Sequence, residues 1–495
     1  MRSQNPPGIA LLSLGVSRSE DVPAYQQIHE QIRRLILERR LAGGRRLPSS
    51  RALAEQLGVS RTTATAAYDE LAAEGYVQSR RGAGVYVAAD LPDDYLAIRQ
   101  HKAGTAVRGQ SSAVSAEKPP LDRSFEVGRP DAEAFPSRLW SQLLARSARR
   151  DMPALLREPA PNGLPSLRQA IARHLRDFRG LACDGRQVLI TSGVREALEL
   201  LCQALLAPGA AVIMEDPGYQ AARQLFAARG HDVLSVPVDE QGLAVEPDDR
   251  VFRTAGMALV TPSRHYPLGM PLSAARRLAL LDWADRQSAW IIEDDYDSEY
   301  RYSGRPLDAL MSLDRSGRVI YLGSFSKVMF RGLRLGFLVL PESLVEPCAK
   351  VQSNLGPQAA LVAQPAMASF IAEGHLATHL RRTRRLYAER LKSLQRILAE
   401  ELSEALTPLP QDGGMHVVCT LSADLAEHCE DRELSKHAAN AGLALTPLSP
   451  HYVGSRARQG LLLGFTGAEE EAMRSAANNL KAVIAEFGRS TTQRP

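Results

Sequence analysis

The chain has 495 residues, 44% hydrophobic and 23% charged, an ordinary composition for a soluble protein with a sizeable core, and its length sets a prior of roughly three domains. Its net charge of +4 is too small to name a partner. Residues 1–89 nevertheless hold 12 arginines, no lysine and 8 acids, so the whole excess can be placed in the first sixth of the sequence.

In chain order, the apolar run Ile9–Val16 is too short to span a bilayer and carries no cleavage pattern, so neither a membrane segment nor an export signal is expected. Tyr25–Leu41 places Ile28, Ile32, Leu35 and Ile36 on one helical face, with Gly43-Gly44 beyond it. Ser49-Ser50 opens a second helix carrying Leu53, Ala54 and Leu57 and stopped by Gly58. Ser60 then caps a third, closed by Gly75. Two helices joined by Gly58-Val59-Ser60 predict a helix-turn-helix. The third helix begins with Arg61, Thr62, Thr63 and Thr65, short donors suited to phosphates and base edges in a major groove. Tyr76-Val77 and Val85–Val87 bracket Arg80-Arg81-Gly82-Ala83-Gly84, which reads as a basic wing between two short strands.

Residues 90–120 lose hydrophobic periodicity and gain Ser, Gly, Ala and Pro, which predicts a linker rather than a domain. The expected organisation is therefore 1–89 for the winged helix-turn-helix, 90–120 for the linker and 121–495 for a larger unit. In that unit apolar strands alternate with helical stretches: Val188–Thr191, Ala211–Glu215, Met257–Thr261, Trp290–Asp294, Val319–Leu322 and Gly336–Leu340. The alternation argues for an α/β fold with a mainly parallel sheet covered by helices, and for a site at the strand carboxyl ends.

Two of those strand ends carry the chemistry. After Val319–Leu322 comes S-F-S-K-V-M-F-R-G-L-R-L-G, in which Lys327 lies among Ser324, Ser326, Arg331 and Arg334. Neighbouring cations and burial both lower a lysine's proton affinity, and a neutral amine is what attacks an aldehyde. Hydroxyls and guanidiniums hold phosphate. Together they describe a Schiff-base lysine beside a phosphate cup, the signature of pyridoxal 5'-phosphate. The stretch alone fits an ordinary basic loop equally well. A-W-I-I-E-D-D followed by Tyr296 tips the balance, because a carboxylate at a strand end pairs with a pyridine nitrogen, and Asp294 is the candidate. The turn Thr191-Ser192-Gly193-Val194-Arg195 offers free backbone N–H groups to an anion. The five cysteines show no C-x-x-C and imply reduced thiols in a cytoplasmic protein. His375 and His379 lie one helical turn apart without an H-E-x-x-H pattern, so no metal is expected.

The pattern L-P-S-S-R-x-L-A-x-x-L-G-V-S-R-T-T followed by E-G-Y-V-x-x-R-R-G-x-G closely resembles the winged helix of the GntR family. E-D-D-Y-D-S-E-Y and S-F-S-K-x-x-F-x-G-L-R-L-G resemble the fold-type-I aminotransferase domain of the MocR-type regulators, a branch of that family, and the likeness runs through most of 121–490. It implies a homodimeric regulator that binds double-stranded operator DNA through Arg51, Ser60, Arg61, Thr62, Thr63, Thr65, Arg81 and Gly82. It further implies that pyridoxal phosphate forms an aldimine on Lys327 and that the domain senses an amino compound or the cofactor itself. The alternative is a working aminotransferase with an accessory winged helix. By the same resemblance Tyr219 stacks on the pyridine ring, Tyr296 and His265 lie near the ring oxygen, and Gly193, Val194 and Arg195 join the phosphate cup with Ser324, Ser326 and Arg334. Arg456 or Arg458 would take an effector carboxylate. The chain departs from the family's S-H-Q-[FY]-P-T-G at Ser263-Arg264-His265-Tyr266-Pro267-Leu268-Gly269, and Arg157 is a candidate substitute for a missing phosphate-binding tyrosine.

Overall fold

Four apolar residues at helical spacing dictate the first element, α1 (Ala24–Leu37), whose Ile28, Ile32, Leu35 and Ile36 are all buried. The computed structural model describes residues 14–17, 22–38, 40–80, 84–89, 121–151, 156, 162–304, 307–356, 359–454 and 457–492. These divide into two compact units, one on either side of the Ala116–Glu117 bond. The expected linker 90–120, the wing residues Arg81 and Gly82, and the candidates Arg157 and Arg456 lie outside the described residues.

In the first unit, α3 (Arg61–Ala73) packs on both α1 and α2 (Ser50–Leu57). The Ser49 hydroxyl accepts from the Ala52 N–H at 3.2 Å and the Ser60 hydroxyl from the Thr63 N–H at 3.0 Å, so both sequence caps are real caps. Gly58 ends α2 at φ 64°, where a side chain would cost backbone strain. Strands β1 (Val77–Arg80) and β2 (Gly84–Val87) pair antiparallel, Val77 opposite Val87. Helix α1 stops at Leu37, short of the expected Leu41. The N–H groups of Arg40 and Leu41 turn back to the Leu35 carbonyl, which lets Leu41 drop into the core. The end of the apolar run 9–16 also belongs here. Gln31 grips both the N–H and C=O of Gly15 (3.1 and 2.7 Å), Gln27 does the same for Ser17 (2.9 and 3.0 Å), and Leu14 and Val16 pack on the core.

The second unit is built on an eight-stranded sheet. Its strands are β3 (Val188–Thr191), β4 (Ala211–Asp216), β5 (Asp232–Asp239), β6 (Gly242–Leu243), β7 (Ala255–Val260), β8 (Trp290–Asp295), β9 (Val319–Ser324) and β10 (Gly336–Val339), in the order β3-β10-β9-β8-β7-β4-β5-β6. Pairs β5–β4, β4–β7, β7–β8 and β8–β9 are parallel; β10 runs antiparallel to both β3 and β9, and β6 to β5. The fold is thus α/β with a mostly parallel sheet, and all six strands read from the sequence are present. A second sheet is antiparallel. It comprises β11 (Leu406–Pro408), β12 (His416–Leu421), β13 (Thr446–Pro447) and β14 (Gly460–Gly464), ordered β11-β12-β14-β13. The 27-residue helix His375–Glu401 buries Leu380, Tyr387, Leu394 and Leu398 in the same apolar cluster as Val417 and Leu461 of this sheet. Among the described residues no helix is long and apolar enough to cross a membrane.

The strand order brings the carboxyl ends of β3, β8 and β9 to one edge. Gly336 opens β10 between them, opposite Ser324 on one side and Thr191 on the other. A Cβ there would lie 3.0 Å from the Gly193 Cα and 3.1 Å from the Thr191 hydroxyl, tight enough that the neighbouring turn would have to give by a few tenths of an ångström. Gly336→Ala is expected to wedge β3 from β9 and lower stability by about 1–3 kcal/mol, which urea unfolding of the full chain would measure.

Candidate functional site

Side chains alternate across a strand, and at the end of β8 that alternation sorts three consecutive acids. Glu293 and Asp295 turn to one face. The Glu293 carboxylate accepts from the N–H groups of Leu310 (2.8 Å) and Met311 (2.9 Å), and Asp295 meets the Arg179 Nε at 2.8 Å. Asp294 turns to the other face, within the electrostatic reach of Tyr219, Glu215 and Lys327. It is buried, and among the described residues no donor reaches its carboxylate. Burial pushes its pKa up to about 7, against the pull of the Lys327 charge and with help from Asp295 and Asp297.

Lys327 projects from the loop that follows β9. Its Nζ lies 3.9 Å from the centre of the Tyr296 ring and 5.8 Å from that of Tyr266. Gly128, at φ 64°, forms part of the floor: a Cβ would sit 3.3 Å from the lysine Cε. The amine's pKa falls below its ordinary value chiefly through burial. Asp297 and Asp294 oppose the fall, and the guanidiniums of Arg264 and Arg331 add to it. Burial therefore does more than the neighbouring cations that the sequence pattern emphasised. Arg331 in fact turns to Glu126 and the Val127 carbonyl.

Of the other expected residues, Tyr296 lies against Lys327 and Tyr219 lies within the electrostatic reach of Asp294. Tyr219 packs edge-on to Tyr266 (6.0 Å), and Tyr266 edge-on to Tyr296 (5.5 Å). Ser324 and Ser326 share the lysine loop, where the Ser326 N–H donates to the Ser324 hydroxyl at 3.2 Å. Arg334 ends the same loop, exposed and with no partner among the described residues, at φ 50°, a left-handed backbone that costs a non-glycine residue roughly 1–2 kcal/mol. Gly193, at φ 135°, caps the helix Val194–Leu205, whose first N–H groups at Val194 and Arg195 lack helical partners; Glu196 reaches back to the Ser192 N–H at 2.6 Å. Arg458 is exposed, and its charge acts on Tyr452.

His265 is occupied by backbone groups. Its Nε2–H donates to the Pro217 carbonyl at 2.9 Å and its Nδ1 accepts the Leu268 N–H at 3.3 Å, so both ring nitrogens serve the backbone. Burial drives its pKa down to about 3, and the ring is neutral. It braces two loops and has no hydrogen left for a ring oxygen. Its neighbour Arg264, overlooked in the sequence, comes closer: Nη1 donates to the Tyr296 hydroxyl at 2.9 Å and meets Asp297 at 3.3 Å. Tyr266, Asp297 and His416 were likewise missed. The R-H-Y tripeptide was the available signal, but which of its side chains would turn inward was not.

In the smaller unit Arg51, Ser60, Arg61, Thr62 and Thr65 are exposed and Thr63 is half-buried. The Ser60 hydroxyl lies 2.7 Å from those of both Thr62 and Thr63, so one cap residue organises three hydroxyls at the start of α3. Arg51 and Arg61 have no acidic partner among the described residues.

Comparison with known proteins agrees with both halves. Residues 129–478 match the aminotransferases of class I and II, and residues 24–87 match the bacterial regulatory proteins of the gntR family. The chain is 39% identical to the "Probable rhizopine catabolism regulatory protein MocR" of Rhizobium meliloti, over 95% of this chain and 96% of that protein. The chain belongs to the MocR-type branch of the GntR regulators. Another MocR-type relative is the pyridoxine biosynthesis transcriptional regulator PdxR of Corynebacterium glutamicum, 36% identical over 94% of this chain and 97% of that one. Among solved structures, α-aminoadipate aminotransferase LysN of Thermus thermophilus, complexed with N-(5'-phosphopyridoxyl)-L-leucine, superposes with a TM-score of 0.67 at 26% identity. That match covers 75% of this chain and 93% of LysN.

The donor set of this MocR-type protein fits pyridoxal phosphate: a buried carboxylate without a donor, an amine of lowered proton affinity, an unpaired strained arginine and a helix start with free N–H groups. The Asp294 carboxylate also gives a check on the cofactor-free protein. Its folded pKa lies above the ordinary value of 3.8, so the native state holds the proton more tightly, and the stability this gives is lost as pH rises from about 4 through about 7. Asp294→Asn should therefore melt higher than the wild type at pH 8, with a gain that grows across that window and shrinks towards pH 4.

Proposed function

We propose that the chain is a DNA-binding transcriptional regulator whose aminotransferase-like domain holds pyridoxal 5'-phosphate on Lys327 and senses an amino compound or the cofactor itself. The observation that carries this reading is the meeting of Lys327 with Tyr296 at 3.9 Å beside the buried carboxylate of Asp294. When bound, the cofactor supplies an aldehyde that amines capture and a ring that withdraws electrons. Asp294 would pair with the ring nitrogen, Tyr219 would cover a ring face and Tyr296 would face the ring oxygen. Ser324, Ser326, Arg334 and the N–H groups from Gly193 to Arg195 would hold the phosphate. Arg458 or Arg456 would take an effector's carboxylate.

An amine effector would compete with Lys327 for the aldehyde the cofactor supplies; a binding energy that differed between two states of the domain would then couple it to DNA binding. In a homodimer in the cytoplasm, two winged helices would read repeated half-sites spaced in multiples of about 34 Å. The intact Lys327–Asp294 pair also favours a second reading, a working aminotransferase with an accessory winged helix. Repeated turnover of an amino acid with a 2-oxo acid would decide for it.

Borohydride reduction of the purified, cofactor-loaded chain followed by peptide mass spectrometry should find the adduct at Lys327 and none in Lys327→Ala; no adduct in the wild type overturns the sensing reading. For the DNA half, Arg61→Ala should weaken operator binding and reduce the slope of log affinity against log salt by about one, as loss of one phosphate contact requires.

A further inference from the structure

Arg264 is the most deeply set cation beside Lys327. Its guanidinium passes under Gly414, at φ 82°, where a Cβ would lie 2.2 Å from the guanidinium carbon. Nη1 donates to the Tyr296 hydroxyl at 2.9 Å and meets Asp297 at 3.3 Å; Nη2 donates to the Gln411 side chain and to the His416 carbonyl at 3.3 Å. Partners from the end of β8, from β12 and from the segment before β12 thus fix its plane.

That geometry restricts Tyr296. A guanidinium only donates, so it occupies an acceptor site of the phenol oxygen, and the phenol's own hydrogen must point elsewhere. Among the described residues no acceptor meets that hydrogen, while the Lys327 side chain lies across the same ring. We infer that Arg264 is a positioning residue, absent from the family's S-H-Q pattern, which occupies an acceptor site of the Tyr296 hydroxyl and so keeps its O–H available as a hydrogen-bond donor to the cofactor's 3-oxygen. This rests on the cofactor reading proposed above.

The sign of the effect follows from elementary electrostatics. An N–H donated to a phenol oxygen polarises its O–H and makes it a better donor. A donor at the cofactor's 3-oxygen weakens that oxygen's hold on a proton at the Lys327 nitrogen, and the guanidinium charge disfavours the same proton. Asp294 and Asp297 at the end of β8, Tyr266 after β7, Tyr302, His416 on β12 and Arg331 after β9 are the other titratable or charged groups around this cluster. Losing Arg264 also frees Asp297, whose charge favours the proton. All three changes raise the pH at which the nitrogen loses it, so a cycle through Tyr296 is needed to isolate the route.

The experiment is a pH titration of the visible absorbance of the full-length, pyridoxal-phosphate-loaded protein as wild type, Arg264→Gln, Tyr296→Phe and the double variant. Arg264→Gln should raise the spectral midpoint by about 1 unit, and most of that shift should vanish on the Tyr296→Phe background. An unmoved midpoint, with or without a lowered melting temperature, overturns the inference and leaves Arg264 a structural residue. An equal shift on both backgrounds overturns it too, since the charge alone then acts. If Arg264→Gln does not fold, Gln411→Ala keeps the charge and loosens the plane; a smaller upward shift supports the inference and none overturns it. A wild type with no visible band overturns the cofactor reading together with this inference.

Discussion

The buried, donorless carboxylate of Asp294 is the constraint around which the large unit is arranged. An isolated charge in an apolar interior is expensive, and the chain compensates with opposite charge close by rather than with hydrogen bonds. Lys327 supplies that charge, and its own proton affinity is set by burial against the pull of Asp297 and Asp294. Flanking acids on β8 are kept out of the way by the strand's pleat: Glu293 is tied to two backbone N–H groups and Asp295 to Arg179. One strand thus delivers a single reactive carboxylate to the site and uses its neighbours as structure.

The sheet topology explains why distant stretches of sequence cooperate. Parallel strands β4, β7, β8 and β9 end on one edge, and β10, entering antiparallel from that edge, holds the Gly193 turn against the lysine loop. The close approach at Gly336 is what brings the start of the helix Val194–Leu205 up to the strand that leads into the Lys327 loop. Strain is stored where function would use it: Arg334 sits in left-handed backbone without any partner to reward it in the described residues.

Much of this was legible in the residues. Strand–turn–helix alternation gave the sheet, the Ser49 and Ser60 caps gave α2 and α3, and the S-F-S-K and E-D-D-Y stretches led to Lys327, Asp294 and Tyr296. What escaped depended on long-range partners. Burying Arg264 requires Gln411 and His416, 147 and 152 residues downstream, and no local pattern announces such a meeting. His265 misled for the complementary reason: a histidine next to a ring site resembles a ligand until both nitrogens are seen serving carbonyl and amide groups of its own loops. The second sheet was hidden because β12 (H-V-V-C-T-L) is buried along almost its whole length and shows no alternation.

The clasp of Gln27 and Gln31 on residues 14–17 bears on where the small unit begins. Matching to the gntR family starts at residue 24, yet Leu14 and Val16 already cover its apolar core, and two glutamine amides stand in for a neighbouring strand. A fragment trimmed to the family match would leave both amides facing water and part of α1 bare. The packed body of the small unit therefore starts at least ten residues upstream of the recognisable motif.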